Sequence, residues 1–574
     1  MRFERFLLRC LVFAVAFFVV CCLPLAAETE EEAESVASDL GFSEEVEINL
    51  VNIDVYVRDR KGKPVIDLTA EDFVVREDGE IREITNFTML DEQVFRRADE
   101  AAVPGLSVVE AEAVQAGPVP TIRPTWVVLY IDQENLHPLD RTRVLRRVRE
   151  FVTESLIPPV QMMVVANEGS LKVKQSFTSD ARQVVSVVRG LGRYSGGWVD
   201  RESARTDLVD RMRDLKAEMS HGSGGGAKGN RQLFQEVIAY AREEAFTLNM
   251  SLGGLHQVVD MLAGIDGRKS IIYVSNGLPM TPGLGLMHEY ATSFHDNSIL
   301  TYRARFEKQA QYRSLASGAA SQEVVFHTLD AGGLEVNIGG GADSSYGSDP
   351  TSSQVGSSNF QGSLRYLAER TGGIAIVNSN DVTGGLGRVR DDLYSYYSIG
   401  FPARGTGRDT VHRVDIKIPG RSGIDIRHRE RFVHKSLETT VQDQVFSALL
   451  LGIDNNPMGV ALERQTPVPA SGDLWMVPVQ ISVPMSSLTL LPMGDDLVGH
   501  LVLVAGARDD AGKQSDVQRE IHEIRIPAEV DISGRGWTVD NRFLMQEGKH
   551  RIVVGILDQI TRKASYATLN VKVP

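Results

Sequence analysis

Thr125-Trp-Val-Val-Leu-Tyr-Ile-Asp-Gln-Glu-Asn-Leu136 is the stretch whose reading decides the fold. Its first seven residues carry no charge, are rich in β-branched and aromatic types, and run straight into Asp132. Unbroken apolarity, as opposed to alternation, marks a strand buried on both faces of a parallel sheet. A carboxylate at the end of such a strand lies at the edge where open α/β sheets bind ligands.

Downstream, Val144, Leu145, Val148 and Val152 recur at helical spacing after Asp140, a residue suited to capping a helix start. Two runs, Val160–Ala166 and Leu171–Phe177, flank Asn167–Ser170 as a predicted hairpin. Thr178-Ser-Asp180 opens a helix with Val184, Val185, Val188 and Leu191. Two charged helical segments follow in 199–247, around a Gly-rich turn, and an amphipathic helix covers about 252–262. Ser270–Val274, Val324–Asp330 and Ile374–Val377 read as further buried strands; a helical insert spans 280–322 and a Gly/Ser-rich, mobile stretch 337–359. Strand–helix alternation of this kind predicts a doubly wound, Rossmann-like α/β fold over residues 124–400.

Outside that unit the periodicity changes. Residues 45–91 read as a small β-domain, with alternation that slips phase near Ile53 and a tight turn at Asp78-Gly79. Residues 92–123, rich in Ala, Pro and acidic groups, read as a linker. Residues 401–435 read as a β extension, and 437–574 as a β-sandwich of short alternating runs. The α/β unit is therefore expected between N-terminal and C-terminal β-sandwich domains.

The chain start reads as a secretory signal over residues 1–27: Arg2, Arg5 and Arg9, then an apolar run from Cys10 to Leu25, then Ala26-Ala27. A retained membrane anchor is the alternative reading of the same segment. All three cysteines lie inside it, so cleavage would leave no disulfide, thiol nucleophile or cysteine metal site. The expected address is an envelope, periplasmic or extracellular one in a bacterium. Residues 28–44 are an acidic linker. A net charge of -15 over 574 residues argues against a nucleic-acid partner, which needs a basic stripe.

Val55-Tyr-Val-Arg-Asp59, Asp67-Leu-Thr-Ala-Glu-Asp-Phe73, Glu77-Asp-Gly79, the Asp132 strand, Leu367-Ala-Glu-Arg-Thr-Gly-Gly373 and Tyr396-Tyr-Ser-Ile-Gly-Phe401 occur in that order. In this order they resemble the VWFA-related domain proteins described mainly from Acidobacteria, within the von Willebrand factor type A family. The resemblance covers roughly residues 46–435. It implies a metal-ion-dependent adhesion site, in which an Asp-x-Ser-x-Ser motif, a Thr from a later loop and a later Asp hold Mg²⁺ and leave one position for a partner's carboxylate. Here Asp132 fills the first position. Glu134 and Leu136 stand where the two serines belong, and Asn276 replaces the late Asp. Ser195 or Thr206 is the candidate for the missing Thr. Asp132, Glu134 and Asn276 are thus the candidate ligands of a degenerate site for Mg²⁺ or another divalent cation. The competing reading, which ranks ahead, is that Asp132 and Asn276 cap helix starts and satisfy loop amides. The inserts at 199–247 and 280–322 leave the sheet at the edge carrying these residues, and are expected to lid or flank the site.

Signals for catalysis are poor: no G-x-S-x-G elbow and no H-E-x-x-H helix are present, and His288, Glu289 and His295 miss zinc-pair spacing. Gly222–Gly229 lacks the ending of a phosphate loop, and Gly339–Asp343 reads as linker in preference to a calcium loop. The sequence therefore predicts no catalytic or cofactor-binding residue, and an exported, non-catalytic adhesion or interaction protein whose partner is another protein. The alternatives are an envelope enzyme or accessory subunit, or a metal-free structural scaffold.

Overall fold

A computed structural model describes residues 50–95, 123–194, 196–221, 226–333, 350–403, 409–452 and 455–574. The signal segment, the acidic linker, most of the 92–123 linker, Ser195 and Gly339–Asp343 lie outside the described residues.

The first strands are β1 (Leu50–Asp59), β2 (Val74–Glu77), β3 (Glu80–Arg82) and β4 (Asn86–Leu90). The α/β unit follows with β5 (Thr125–Ile131), helix α1 (Pro138–Ser155), β6 (Val160–Asn167), β7 (Leu171–Thr178) and α2 (Ala181–Gly190). Next come α3 (Trp198–Ser220), α4 (Gly226–Leu262), β8 (Arg268–Ser275), α5 (Leu284–Phe294), α6 (Gln309–Ser321) and β9 (Val324–Asp330). The unit closes with α7 (Pro350–Thr371), β10 (Ala375–Ile376) and α8 (Val382–Tyr394).

Its six strands lie in the order β10-β9-β8-β5-β6-β7, all parallel except β7, which pairs antiparallel with β6. Numbered within the sheet this is 3-2-1-4-5-6, the doubly wound order, and its switch point falls between β5 and β8. Both faces of the central parallel strands are covered, which is why those strands read as unbroken apolar runs. Val127, Leu129 and Ile131 face α1, α2 and α8. Val128 and Tyr130 face α4, α6 and α7.

Four further strands follow: β11 (Tyr396–Pro402), β12 (Thr410–Lys417), β13 (Ile424–Arg427) and β14 (Arg431–His434). They form one unit with the N-terminal strands, in sheets ordered β13-β1-β11-β4 and β14-β12-β2-β3. Ile53, Val55, Val75, Tyr397, Val414 and Phe432 build a core common to the two sheets. Segments that the sequence divided into a β-domain at 45–91 and a β extension at 401–435 are therefore one discontinuous unit, with the α/β unit inserted between its halves. The phase slip in β1 has a counterpart in its pairing: residues 50–55 pair with β11 and 56–59 with β13. Phe95, at the start of the expected linker, is fully buried against Tyr394.

Other departures from the sequence reading have local causes. The helix expected at 252–262 is the second half of α4, a single helix of 37 residues. The stretch expected to be mobile through residue 359 is helical from Pro350. Residues 437–451 form helix α9 (Leu437–Leu451) ahead of the C-terminal strands. Its Val441, Val445, Ala448 and Leu449 are helix-spaced and pack on Val502, Val504 and Val553. Beyond it, strands Leu474–Pro484 and Gly536–Gln546 pair in one antiparallel sheet, and Asp496–Asp509, Gly548–Asp558 and Ala564–Val573 in another. These two sheets share a core containing Val479, Ile481, Leu503 and Val554.

Candidate functional site at the sheet switch point

Asp132 and Asn276 follow the C-terminal ends of adjacent parallel strands β5 and β8, so both lie at the switch point. Asp132 is 1% exposed. Its Oδ1 accepts from Asn167 Nδ2 at 2.9 Å. Its Oδ2 accepts from Asn135 Nδ2 at 2.9 Å, from the Tyr273 hydroxyl at 2.5 Å and from Ser275 Oγ at 3.4 Å. Burial pushes this carboxyl up from its ordinary value, partly offset by Tyr273, Asn135, Asn167 and the nearby Arg201.

Glu134 turns toward the start of α3, where its carboxylate accepts from the Tyr194 hydroxyl and from the Gly197 N–H at 2.9 Å. Asn276 is held from both ends: Oδ1 accepts from the His137 N–H at 2.9 Å, and Nδ2 donates to Asp140 Oδ2 at 2.9 Å. Asp140 therefore ties β8 to the first turn of α1, and the α1 N-cap is His137 with Pro138 at the first helical position. Leu136 is buried in the core beneath β5. Thr206 lies within α3, its hydroxyl donating to the Glu202 carbonyl.

The residues that would hold an adhesion-site cation thus belong to separate hydrogen-bond sets. Both oxygens of Asp132 are taken up by side-chain donors, and Asn135 and Asn167 turn amide nitrogen, which cannot ligate a hard cation, toward them. The orientation of Asn135 is anchored, because its Oδ1 accepts from Arg201 Nη2 at 3.0 Å while its Nδ2 serves Asp132 and Ser251 Oγ. This donor set does not fit a divalent cation.

The insert helices stand over this edge of the sheet. Arg201 of α3 reaches the Glu134 carbonyl and Asn135, and Ser251 of α4 accepts from Asn135. Trp198 of α3 packs edge-on against His137. α3, the first half of α4 and α5 share their own core of Leu208, Met212, Val237, Leu286 and Tyr290. By contrast, α6, inside the expected insert 280–322, packs on the sheet with α4 and α7 as an ordinary crossover helix.

Between the inserts, the switch point and α7 lies a cavity of about 460 Å³. Trp198, Arg201, Arg205, Tyr240, Glu244 and Asn276 are among the residues lining it. Glu244 Oε2 accepts from the Gly283 N–H at 2.6 Å. Burial pushes the Glu244 carboxyl up to about 7, against the opposing pull of the Gly283 N–H and of Arg201 and Arg205. Sequence reading placed helices at this edge but singled out none of Arg201, Arg205, Tyr240 or Glu244, which carry no local motif.

A doubly wound sheet with an antiparallel third strand and a carboxylate at its switch point defines a type A-like α/β unit. No protein-family model matches the chain, and no curated protein matches it. Among solved structures, the chain is similar to the vWF domain of the type V pili tip protein Mfa5 from Porphyromonas gingivalis. That match has 13% identity, covers 50% of this chain and 99% of that one, and has a TM-score of 0.25. A structure of three N-terminal domains of the same Mfa5 matches at 10% identity, covering 76% and 74% of the two chains, with a TM-score of 0.24. The conserved hypothetical protein BatB from Bacteroides thetaiotaomicron matches at 11% identity over 47% and 96%, with a TM-score of 0.21. At these scores the fold reading stands on strand order and not on the matches.

Proposed function

We propose that the protein is an exported, non-catalytic interaction protein that binds a segment of another protein in the cavity over the switch point, without a resident divalent cation. The observation that carries this reading is the cavity itself. It is built by helical inserts with their own core, and it combines aromatic side chains with charges of both signs. A concave site that sets apolar and aromatic side chains beside convergent polar groups suits binding. Trp, Tyr and Arg are the residue types that dominate binding energy at protein interfaces. Export is supported by the basic, apolar and small-residue order of residues 1–27. Among the described residues, no helix is long and apolar enough to cross a membrane.

Gly356 of α7 lines the cavity, and a Cβ added there meets no atom within 4 Å. Gly356→Trp should therefore fill the site while holding or raising stability by about 0.5 kcal/mol, since Gly is a poor helix former. Immobilised wild-type chain and Gly356→Trp are compared for capture from bacterial envelope extract, with folding checked by thermal melting. The variant should retain less than about a tenth of the specifically captured partner, the equivalent of about 1.4 kcal/mol of lost contact. Equal capture by the two folded proteins would rule the cavity out as the binding site.

A further inference from the structure

We propose that Glu77, Asp78 and His412 form a site for a divalent ion of the zinc class, at one end of the two-sheet unit and away from the switch point. Their ligating atoms lie within 4.8 Å of one another. His412 Nδ1 is 2.9 Å from Asp78 Oδ2 and 3.3 Å from Glu77 Oε1. Ligand atoms about 2.0–2.2 Å from a tetrahedral zinc stand at comparable separations from one another.

The fold aims these three groups at one another. Glu77 ends β2 and pairs with Val414 of β12, so His412, two residues earlier on the same strand, shares its face. Asp78 takes a positive φ of 49° in the turn with Gly79, which swings its side chain back over the strand end. The antiparallel register thus brings together residues 334 positions apart.

Each of the three is also pinned from behind. Glu77 Oε2 is held by Arg82 Nε at 2.6 Å, with Oε1 toward His412. Asp78 Oδ1 accepts from the Arg413 N–H at 2.9 Å, with Oδ2 toward His412. His412 Nε2 lies 3.0 Å from Thr410 Oγ1, with Nδ1 toward both carboxylates, and its ring stacks on Phe432. Outer partners on the far atom of every ligand are the arrangement that orients a metal shell and selects the imidazole tautomer. When Thr410 accepts from Nε2–H, the Nδ1 lone pair faces two carboxylates, and a cation between them removes that repulsion.

Access and ligand chemistry fit as well. Glu77 is 1% exposed and His412 14%, while Asp78 is 55% exposed and opens the site to solvent and a water ligand. One imidazole and two carboxylates suit Zn²⁺ better than Mg²⁺, which takes oxygen ligands and keeps its waters. Because β2 and β12 belong to separate halves of the discontinuous unit, an ion here would clamp the two together, and it would bind the folded chain far better than the unfolded one.

The test uses the full chain stripped with EDTA and titrated with ZnCl₂ in competition with a chromophoric chelator. One equivalent should bind per chain and raise the melting temperature. His412→Ala should weaken binding by more than about tenfold, the least that losing even an outer partner costs. Asp78→Asn should do the same, with the turn preserved because Asn accepts positive φ. Were His412→Ala unable to fold, Asp78→Asn decides alone. An imidazolium ion pair at His412 in place of a metal would give no zinc-linked stabilisation. That result, or binding of unchanged affinity in either folded variant, overturns the proposal.

Discussion

Asp392→Ala is expected to lower stability by about 3–5 kcal/mol, the usual result of removing one partner from a buried ion network. Asp392, on α8, is 1% exposed. It meets Arg427 of β13 in a two-pronged pair at 2.8 and 2.9 Å, and Arg58 of β1. Burial alone would raise its pKa, but Arg427 and Arg58 hold the carboxyl below its ordinary value. Removing it takes the one buried carboxylate from two guanidinium groups at the contact between the two-sheet unit and the α/β unit, leaving Arg58 with the half-exposed Asp391 at 3.3 Å and Arg427 with the Gly372 carbonyl. The neighbouring Arg268 is itself a cation and cannot replace it; its own partners are Asp54 at 2.8 Å and the face of Tyr396. Calorimetric melting of the variant is the check. An exposed pair, Arg147–Glu150, supplies the control, since its loss should fall within about 0.5 kcal/mol. A change that small for Asp392→Ala would mean that the network does not join the units.

The second large effect is expected at Asp132. Asp132→Ala should destabilise by about 3 kcal/mol or more, because donors on Asn135, Asn167 and Tyr273 lose their buried acceptor together. Asp132→Asn should cost less, since one oxygen remains while its amide group faces a donor. A ligand carboxylate in an ion-free metal site would behave in the opposite way. Its removal in EDTA would relieve an uncompensated buried charge and raise the melting temperature. Melting both variants in EDTA distinguishes a hydrogen-bond hub from an empty metal shell.

The α/β unit was legible because each central strand is buried on both faces and so reads as an unbroken apolar run. Asp132 and Asn276 were legible as a pair at the switch point for the same reason, since strand ends fix loop positions. What lay beyond local patterning was missed. Asp78 and His412 meet only through β2–β12 pairing, and no spacing in the chain announces a contact 334 residues long. Helix α9 carried a readable signal in Val441, Val445 and Leu449, which the surrounding strand-like runs obscured. The partners of Asp132 were half legible. Asn135 stands inside the opening stretch, but Asn167 and Tyr273 come from neighbouring strands, and their convergence requires the sheet order.

Titration calorimetry of the EDTA-treated protein with Mg²⁺, run in parallel on Asp132→Asn, is the most direct measurement of whether the switch point works without a cation. The hydrogen-bond hub predicts no Mg²⁺-linked heat for either protein at millimolar ion. Saturable Mg²⁺ binding by the wild type that disappears in folded Asp132→Asn would contradict it.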